Sequence, residues 1–271
     1  MKISIITVTF NAEMFLEKTI LSVLSQSWKD FEYIIVDGAS KDNTVEIIKQ
    51  FELSTKNGEF VGILPEQFRW MSEPDEGLYD AMNKGIDLAT GEFLWFLNAG
   101  DLMFDVNSLQ TIVNAYLETP MSDIIYGQCL IIDNNGKALS ERHKIAPKQL
   151  TKKSFLNGLV VCHQSMLVKK TIAPKYNLKY KICADYDWAI NAVEHARHSC
   201  YIDDYISKFL IAGISSQQQK KAWVERFFIM KRAFGLCKTL MAHGIIVLKY
   251  PFVKKIPSFK KTTLRELIPK F

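Results

Sequence analysis

The sequence predicts an α/β fold built around a mostly parallel sheet. Apolar and β-branched runs, which are typical of buried strands, occur at residues 3–9, 33–36 and 93–97. Segments with helical spacing separate these runs, and strands that alternate with helices of this length indicate βαβ units. At 271 residues, of which 48% are hydrophobic, the chain can form one large domain or two small ones. Ligands of such sheets bind beyond the carboxyl ends of the strands.

The first half of the chain follows this alternation closely. Asn11 is a good helix N-cap after the first strand, and helical spacing then continues to Gln26. Further helices are predicted at residues 43–51, 78–88 and 106–117. A short strand is predicted at 69–72 and a longer one at 123–132.

The second half is less regular. A turn signal at residues 133–136 separates two strand-like runs. Further strands are predicted at 163–168 and 205–211, with a helix at 185–196 between them. We expect one continuous unit over residues 1–216 and a separate basic helical tail over 217–271.

Charge is distributed unevenly along the chain. From Lys220 to Phe271 there are thirteen Lys or Arg residues and two acidic ones, a net charge of +11, whereas the whole chain carries +5. The first 219 residues therefore carry −6. A basic tail on a mildly acidic body predicts an anionic partner for the tail, either nucleic acid or a membrane surface. The five cysteines are odd in number and form no CxxC pair, which favours a reducing compartment over a disulfide framework or a structural zinc site.

Acidic residues stand at the ends of predicted strands and the starts of predicted helices. Asp37 ends the second strand, where a carboxylate can accept hydrogen bonds from a base or a ribose hydroxyl. The alternative is that its loop, through Asp42, only caps the next helix. Asp75 precedes a helix whose polar residues share faces at a spacing of four: Tyr79 with Asn83, and Asp80 with Lys84.

Asp101 lies just past the apolar run at 93–97. A carboxylate in that position is a natural ligand for Mg²⁺ or Mn²⁺. These hard cations take one or two carboxylates and complete their shell with phosphate oxygens and water. The alternative is that Asp101 caps the helix that begins near Asp105.

Asp185 and Asp187 begin the predicted helix at 185–196. They point about 160° apart around a helix axis, so only one of them can face a site. That carboxylate is a candidate general base, and the alternative for Asp185 is helix capping. His163 follows Cys162, but adjacent strand residues face opposite ways. We therefore expect a polar contact at the rim of a site from His163 or Gln164 rather than a Cys–His dyad.

Taken together, six segments resemble family 2 glycosyltransferases of the GT-A fold: TVTFN (7–11), VDGASKDNT (36–44), SEPDEGLYDAMNKG (72–85), GEFLWFLNAGD (91–101), CHQSMLVKK (162–170) and ADYDW (184–188). The resemblance covers about residues 3–216. It implies a three-layer α/β/α fold with a mostly parallel central sheet, followed by a C-terminal helical tail. It also implies an inverting transfer of a sugar from a nucleotide diphosphate sugar to an acceptor hydroxyl, as in bacterial surface polysaccharide assembly.

The resemblance assigns roles to individual residues. It implies that the nucleotide sugar is bound by Thr9, Asn11, Asp37, Asp75, Tyr79, Asn83, Lys84 and Asn98. Segment 98–101 matches the family's Asp-x-Asp-type metal segment with Asn98 in the first acidic position, so Asp101 is the principal ligand of Mg²⁺ or Mn²⁺. Asp185 matches the catalytic base. We expect four residues at the acceptor rim: His163, Gln164, Asp187 and Trp188. Met82 stands where many relatives carry an Arg near the phosphates, a contact that Lys84 can supply.

The basic tail predicts a membrane-surface role. Its apolar stretch at 240–253 is shorter than the roughly 20 residues that span a bilayer. We therefore expect a helix that lies in the interface, with its Lys and Arg side chains on anionic lipid; the alternative is an ordinary docked helix. The predicted enzyme is cytoplasmic and peripheral on the inner face of the cytoplasmic membrane. It takes a glycan or a lipid-linked acceptor and no nucleic acid.

Two other functions stay open. A nucleotidyltransferase also needs a nucleotide and a metal, but no Gly-rich, Lys- or Arg-bearing N-terminal loop is present to hold a triphosphate. A nucleic-acid-binding module could use the basic tail, but it leaves the acidic residues without a role. A dehydrogenase is disfavoured because no GxGxxG follows the first strand.

Overall fold

The computed structural model of the chain describes residues 1–211 and 218–253, with residues 245–253 described by their backbone alone. Nine strands occur within these ranges: β1 (Ile3–Thr9), β2 (Phe31–Asp37), β3 (Phe68–Ser72), β4 (Phe93–Phe96), β5 (Leu102–Met103), β6 (Ile124–Ile132), β7 (Ala138–Glu141), β8 (Met166–Lys169) and β9 (Ser199–Leu210). The α-helices in the same ranges are α1 (Leu16–Leu24), α2 (Thr44–Lys56), α3 (Leu78–Leu88), α4 (Ser108–Glu118), α5 (Ala184–His195), α6 (Gln219–Phe234) and α7 (Leu236–Val253). Short 3₁₀ helices cover Pro65–Gln67, Lys152–Asn157 and His163–Ser165.

The strands form one sheet in the order β3-β2-β1-β4-β8-β6-β9-β5, and β7 pairs with the second half of β6. The strands from β3 to β4 are mutually parallel, and β6 is parallel to β9. Strand β8 runs antiparallel to both of its neighbours. All residues of β1 and β2 are buried, as expected for parallel strands covered on both faces. The predicted α/β fold with a mostly parallel sheet is confirmed.

The helices pack on both faces of the sheet and form two cores. On one face, Ile6 of β1 packs in a core with side chains of α3, α5 and α6. On the other face, Ile5 packs in a core with side chains of α1, α2 and α4. Neighbouring strand residues point to opposite faces, so Ile5 and Ile6 serve different cores. The result is the predicted arrangement of helices above and below one sheet.

The register of the parallel strands brings polar residues to one edge of the sheet. Thr9 lies opposite Asp37, and Asp37 lies opposite Ser72. The Ala99 N–H donates to the carbonyl of Val8 at 3.2 Å, which places the segment after β4 beside the end of β1. This carboxyl edge is where a ligand of such a sheet binds.

The opposite, amino edge of the sheet is closed around Glu32, which is 2% exposed. Its carboxylate accepts hydrogen bonds from Ser4 Oγ, from both the N–H and the Oγ1 of Thr90, and from the Gly91 N–H at 2.9 Å. Arg69 contributes an ion pair at 3.3 Å. Burial raises the pKa of Glu32, but the hydrogen bonds outweigh it and hold the pKa below its ordinary value. This edge therefore has a structural role.

Segment 163–165 is a 3₁₀ turn, so the predicted strand at 163–168 is wrong in its first three residues. The carbonyl of Gln164 accepts the indole N–H of Trp95 at 2.8 Å, and Ser165 Oγ lies 2.6 Å from Ser207 Oγ. Gln164 thus uses its backbone acceptor for a tertiary partner instead of a strand ladder.

Helix α6, the first helix of the basic segment, belongs to a core of the fold. Ala222, Ile229 and Met230 are buried in the same core as the α5 side chains. Arg232 also forms an ion pair with buried Asp187 of α5. The predicted division at 216/217 stays a prediction; residue 216 itself and residues 254–271 lie outside the described residues.

Candidate functional site

Two loops at the carboxyl edge, after β1 and after β2, are joined by side-chain hydrogen bonds. The Asn11 N–H donates to Ser40 Oγ at 2.8 Å, and Asn11 Oδ1 accepts the Lys41 N–H at 2.9 Å. Asn11 (φ 48°) and Ala39 (φ 60°) both have left-handed backbones. Non-glycine residues rarely adopt this conformation, and it clusters at functional sites. The predicted N-cap role of Asn11 is wrong, because α1 begins at Leu16 and Asn11 links the loops instead.

Asp37 is buried at the end of β2 and organises the second loop. Its carboxylate accepts the Ser40 N–H at 2.9 Å, the Ser40 hydroxyl, and the Ser72 hydroxyl at 2.6 Å. The Asp42 carboxylate accepts hydrogen bonds from the N–H and the hydroxyl of Thr44, so Asp42 and not Asp37 binds the start of α2. Asp37 therefore fixes the loop shape from below, and its contact with a base or ribose stays a prediction.

Asp75 lies against the same loop. A Cβ added to Gly38 would come within 2.5 Å of Asp75 Oδ2 and 3.3 Å of the Phe10 ring, so a larger residue there would displace the Asp75 side chain. The other oxygen of Asp75 accepts the Gly77 N–H at 2.8 Å just before α3. Phe10 is 61% exposed. The exposed Phe10 ring, Gly38 and the half-buried Asp75 carboxylate thus lie together at the carboxyl edge of the sheet.

Two buried oxygens at this edge have no hydrogen-bond partner among the described residues. They are Thr9 Oγ1, at the end of β1, and Asn98 Oδ1, two residues past β4. A buried polar atom without a partner costs about 1–3 kcal/mol, so such atoms are uncommon in native proteins. Thr9 ends β1 and Asn98 follows β4, and these two strands are neighbours in the sheet, so both oxygens lie at the predicted ligand-binding edge.

Asp101 is buried three residues after Asn98 and does not cap a helix. Its Oδ1 accepts the Leu210 N–H of β9 at 3.0 Å, and its own carbonyl accepts Thr19 Oγ1 at 2.9 Å. Burial raises the pKa of Asp101 well above its ordinary value, because the Leu210 N–H compensates only part of the desolvation. A nearby cation would restore the charged form.

The donor set at Asn98 and Asp101 fits a hard divalent cation. It offers a carboxylate with a raised pKa and an amide oxygen without a partner, and both are oxygen ligands. No group of three His, Cys, Asp or Glu side chains in the described part of the chain is arranged to hold a metal. A cation shared with a substrate diphosphate takes only one or two protein carboxylates.

Asp185 lies in the first turn of α5, facing the residues of α3. Its Oδ1 accepts the Tyr186 N–H at 2.8 Å and contacts the Tyr79 hydroxyl at 3.3 Å; that hydroxyl also donates to the carbonyl of Ile182 at 2.7 Å. Burial raises the pKa of Asp185 above its ordinary value, although these hydrogen bonds favour the charged form. A carboxylate with a raised pKa is better matched to proton abstraction near neutral pH.

Contacts connect Asp185 to the carboxyl edge. Tyr79 lies in the first turn of α3, Asp75 lies in the segment between β3 and α3, and the Asp75 side chain packs against Gly38 of the loop after β2. The Cys162 thiol is close enough to both Asp101 and Asp185 to interact electrostatically with each carboxylate. The structure thus places eight predicted site residues at or next to the carboxyl edge of the sheet: Thr9, Asn11, Asp37, Asp75, Tyr79, Asn98, Asp101 and Asp185.

The other predicted site residues make structural contacts. Asn83 holds the backbone of Tyr176 through its amide oxygen at 2.7 Å and its amide nitrogen at 3.0 Å. Lys84 forms an ion pair with Glu73 at 2.8 Å, which raises its pKa, and donates to the carbonyl of Pro74. The nucleotide contacts of Asn83 and Lys84 stay predictions, but both side chains already bind partners within the protein.

The four residues predicted at the acceptor rim are buried. His163 contacts Phe96, Tyr176 and Trp188, and burial lowers its pKa to about 4. Gln164 accepts the Cys162 thiol through Oε1 at 3.2 Å. Asp187 is occupied by Arg232, so it faces α6 rather than a cavity. An acceptor contact by any of the four stays a prediction.

Sequence reasoning overlooked Glu225 and Arg226 on α6. The Glu225 carboxylate accepts the N–H groups of Lys181, Ile182 and Cys183, at 2.8 to 2.9 Å, in the segment that leads into α5. Arg226 interacts electrostatically with Asp185. In the sequence both residues look like part of a solvated basic helix. The only signal was that Glu225 is one of two acidic residues in a segment of thirteen cations.

Comparison with known proteins identifies the family. The model of glycosyl transferase family 2 matches residues 4–176. A PGL/p-HBAD biosynthesis glycosyltransferase of Mycobacterium bovis is 33% identical over 194 residues, which cover 69% of this chain and 68% of the relative.

Solved structures share the fold. Staphylococcus aureus TarS 1–349 in complex with UDP superposes with a TM-score of 0.67 at 15% identity, over 100% of this chain and 76% of that one. The mannosyltransferase PcManGT of Pyrobaculum calidifontis, in complex with GDP-Man and Mn²⁺, gives a TM-score of 0.59 at 15% identity, over 97% and 78%. This chain spans 39% of a longer TarS structure. The chain therefore belongs to glycosyl transferase family 2 and is a glycosyltransferase.

Proposed function

We propose that this glycosyltransferase moves a sugar from a nucleotide diphosphate sugar to an acceptor hydroxyl, with inversion at the anomeric carbon. The observation that carries the proposal is the pair of buried oxygens without partners, Thr9 Oγ1 and Asn98 Oδ1, at the carboxyl edge. A bound nucleotide sugar would satisfy them. The TarS and PcManGT structures with UDP-GlcNAc and with GDP-Man support this class of donor.

In this proposal the nucleotide binds across the ends of β1, β2 and β4. Thr9, Asp37 and Asp75 line its base and ribose, and the loop of Asn11 closes over it. The hydrogen bonds between the two loops hold their left-handed residues in place before the donor arrives. A preformed loop loses less conformational entropy on binding, which favours affinity.

Asp101 and Asn98 would hold Mg²⁺ or Mn²⁺ in the same proposal. The cation would neutralise charge that develops on the departing diphosphate. Burial raises the pKa of Asp101 well above its ordinary value, and a bound cation would favour its charged form. The PcManGT structure with Mn²⁺ supports a divalent cation in this fold.

Asp185 acts as the general base. It removes the proton of the acceptor hydroxyl, whose oxygen forms a bond to the anomeric carbon as the bond from that carbon to the diphosphate oxygen breaks. The electron pair of the broken bond leaves with the nucleoside diphosphate, and the proton stays on Asp185. A single displacement from the opposite face inverts the anomeric carbon. Tyr79 and the Tyr186 N–H orient the carboxylate.

A thermal-shift panel of nucleoside diphosphates and their sugars, with and without Mn²⁺, tests donor binding. Stabilisation rises with ligand concentration over dissociation constant, by about 2.7 kcal/mol at a hundredfold excess. We expect one nucleoside diphosphate series to raise the melting temperature, and Asn98→Ala to lose most of that shift. A panel without any stabilising nucleotide would contradict the proposal.

We also propose that the acceptor is a glycan or a lipid-linked molecule met at an anionic membrane surface. No described helix is both long and apolar enough to cross a bilayer. Exposed apolar side chains on α6 and α7, among them Val224 (56%), Phe228 (55%) and Leu240 (54%), lie among exposed lysines. An apolar face with flanking cations suits the interface of an anionic membrane. Such an enzyme would lie on the inner face of the cytoplasmic membrane.

Co-sedimentation with vesicles tests this surface. Removing the whole segment after residue 216 would also remove the buried residues of α6, so point substitutions are the sharper test. We expect Val224→Ser combined with Phe228→Ser and Leu240→Ser to lower binding to phosphatidylglycerol vesicles at least fivefold. Leu117→Ser, at an exposed position (69%) on α4, is the control. Equal vesicle binding by the triple variant and by Leu117→Ser would rule out the surface of α6 and α7 as the membrane contact.

A further inference from the structure

Three cationic side chains, of Arg142, Lys144 and Arg226, lie near the start of α5. The Tyr186 hydroxyl joins α5 to the carbonyl of Phe155, beside the segment that binds Arg142 and Lys144, and Glu225, next to Arg226, holds the N–H groups of Ile182 and Cys183. Arg142 and Arg226 both favour the charged form of Asp185 through their positive charge. Both also act on Lys144, so the three cations are mutual neighbours. We call them the cation cluster.

The segment at residues 157–160 fixes two members of the cluster. Arg142 donates from its guanidinium to the carbonyls of Leu159 at 2.7 Å and Val160 at 3.1 Å. Lys144 Nζ donates to the carbonyl of Asn157 at 2.7 Å. A Cβ at Gly158 would lie 2.6 Å from that nitrogen, so glycine makes room for the lysine. Neutral carbonyls orient these cations without neutralising them.

Arg226 reaches the cluster from α6. Its neighbour Glu225 is committed to the backbone N–H groups before α5. The buried Nε of Arg226 has no hydrogen-bond partner among the described residues. A guanidinium nitrogen is an obligate donor, so this atom lacks an acceptor.

Two of the three cations of the cluster, Arg142 and Arg226, interact with the same carboxylate, that of Asp185. The ionisable groups that interact with its members include Asp185, His143, Cys162, Cys183 and Tyr186. Burial and the two neighbouring guanidiniums lower the pKa of Lys144 to about 7. Bringing an anion here would relieve this repulsion, and would give the Arg226 Nε an acceptor.

We propose that the cation cluster binds a phosphate group of the acceptor, next to the hydroxyl that Asp185 deprotonates. The inference rests on the proposed function, because Asp185 defines the acceptor side of the site. Guanidinium and ammonium groups around one anion are the usual recognition of phosphate. The acceptor is therefore a phosphate-bearing molecule, and its phosphate fixes which hydroxyl reaches the base.

Inorganic phosphate in EDTA is the probe, with binding measured by titration calorimetry at low ionic strength. We expect Arg226→Met and Lys144→Met to weaken phosphate binding about tenfold or more, since each removes a charged hydrogen bond. Lys148→Met is the matched control, because Lys148 is 79% exposed and pairs with Asp203 outside the cluster. Unfolding midpoints of all three variants establish that each is folded, and either cluster variant suffices for the comparison.

A second titration, with saturating nucleoside diphosphate and Mn²⁺, identifies the source of the phosphate. Phosphate binding that persists beside the nucleotide supports an acceptor site. Loss of phosphate binding on adding nucleotide would assign the cluster to the donor diphosphate and overturn the proposal. Equal phosphate affinity in the wild type and both cluster variants would also overturn it. Failure of the nucleotide itself to bind would instead contradict the proposed function.

Discussion

Replacing Glu225 by Ala should loosen the segment that carries Asp185. The Glu225 carboxylate accepts three backbone N–H groups, those of Lys181 at 2.8 Å and of Ile182 and Cys183 at 2.9 Å. A hydrogen bond to a charged group contributes about 1.5–3 kcal/mol, and an anion at a helix N-terminus adds about 0.3–1 kcal/mol. The three hydrogen bonds share one carboxylate, and water can replace part of them in the variant, so their energies do not add in full. We therefore expect a loss of about 3 kcal/mol in the free energy of unfolding.

Urea unfolding measures this loss as a lower midpoint at an unchanged slope. Glu194→Ala is the control, because Glu194 is 47% exposed and its pair with Lys152 is worth at most about 1 kcal/mol. Nucleotide affinity should stay within twofold of the wild type, since Thr9 and Asn98 lie on other elements. An unfolding free energy for Glu225→Ala that equals that of Glu194→Ala would refute the role given to Glu225.

Three further predictions concern the free energy of unfolding. Ala39→Gly should raise it by about 0.5 kcal/mol, because the relief of a left-handed backbone exceeds the entropy cost of glycine; a lower melting temperature would contradict the strain at φ 60°. Glu32→Gln should lower it by about 2–3 kcal/mol in urea unfolding, because the amide N–H₂ would face donors in either orientation, the N–H groups of Thr90 and Gly91 at Oε1 or the Arg69 guanidinium at Oε2; a neutral result would argue against the buried network. Asp185→Asn should raise it at pH 7.5, by about 1.4 kcal/mol for each unit by which burial raises the Asp185 pKa. That penalty belongs to the charged form, so it exists above the ordinary pKa of Asp, and the two proteins should become equal at pH 3; a gap that persists there would exclude this cause.

The parallel half of the sheet was predictable because its evidence is local. The strands at 3–9 and 31–37 are buried on both faces, so most of their residues are apolar or β-branched, and their polar ends mark the carboxyl edge. Helix α3 begins and ends at the predicted residues, Leu78 and Leu88. Asp101 and Asp185 stand at the end of a strand and the start of a helix, positions that a pattern can locate. Their presence on one side of the sheet follows from the parallel topology.

Contacts between distant residues escaped prediction. Glu32 interrupts an apolar run, and its partners Ser4 and Thr90 lie 28 and 58 residues away. Gln164 leaves the predicted strand because an indole 69 residues away takes its carbonyl. Arg226 resembles a solvated residue of a basic helix until Ile229 and Met230 are known to be buried against α5. Periodicity reveals which face of a helix is apolar, but not which element covers it.

The role of Asp185 as general base is the central claim, and single-turnover transfer by Asp185→Asn tests it most directly. The assay uses the donor identified by thermal shift and the acceptor that the wild type glycosylates, with donor affinity measured in parallel. The account predicts donor affinity within threefold of the wild type, and transfer slowed by about 10²–10⁴-fold, the usual contribution of a general base. Transfer at the wild-type rate by this variant would contradict it.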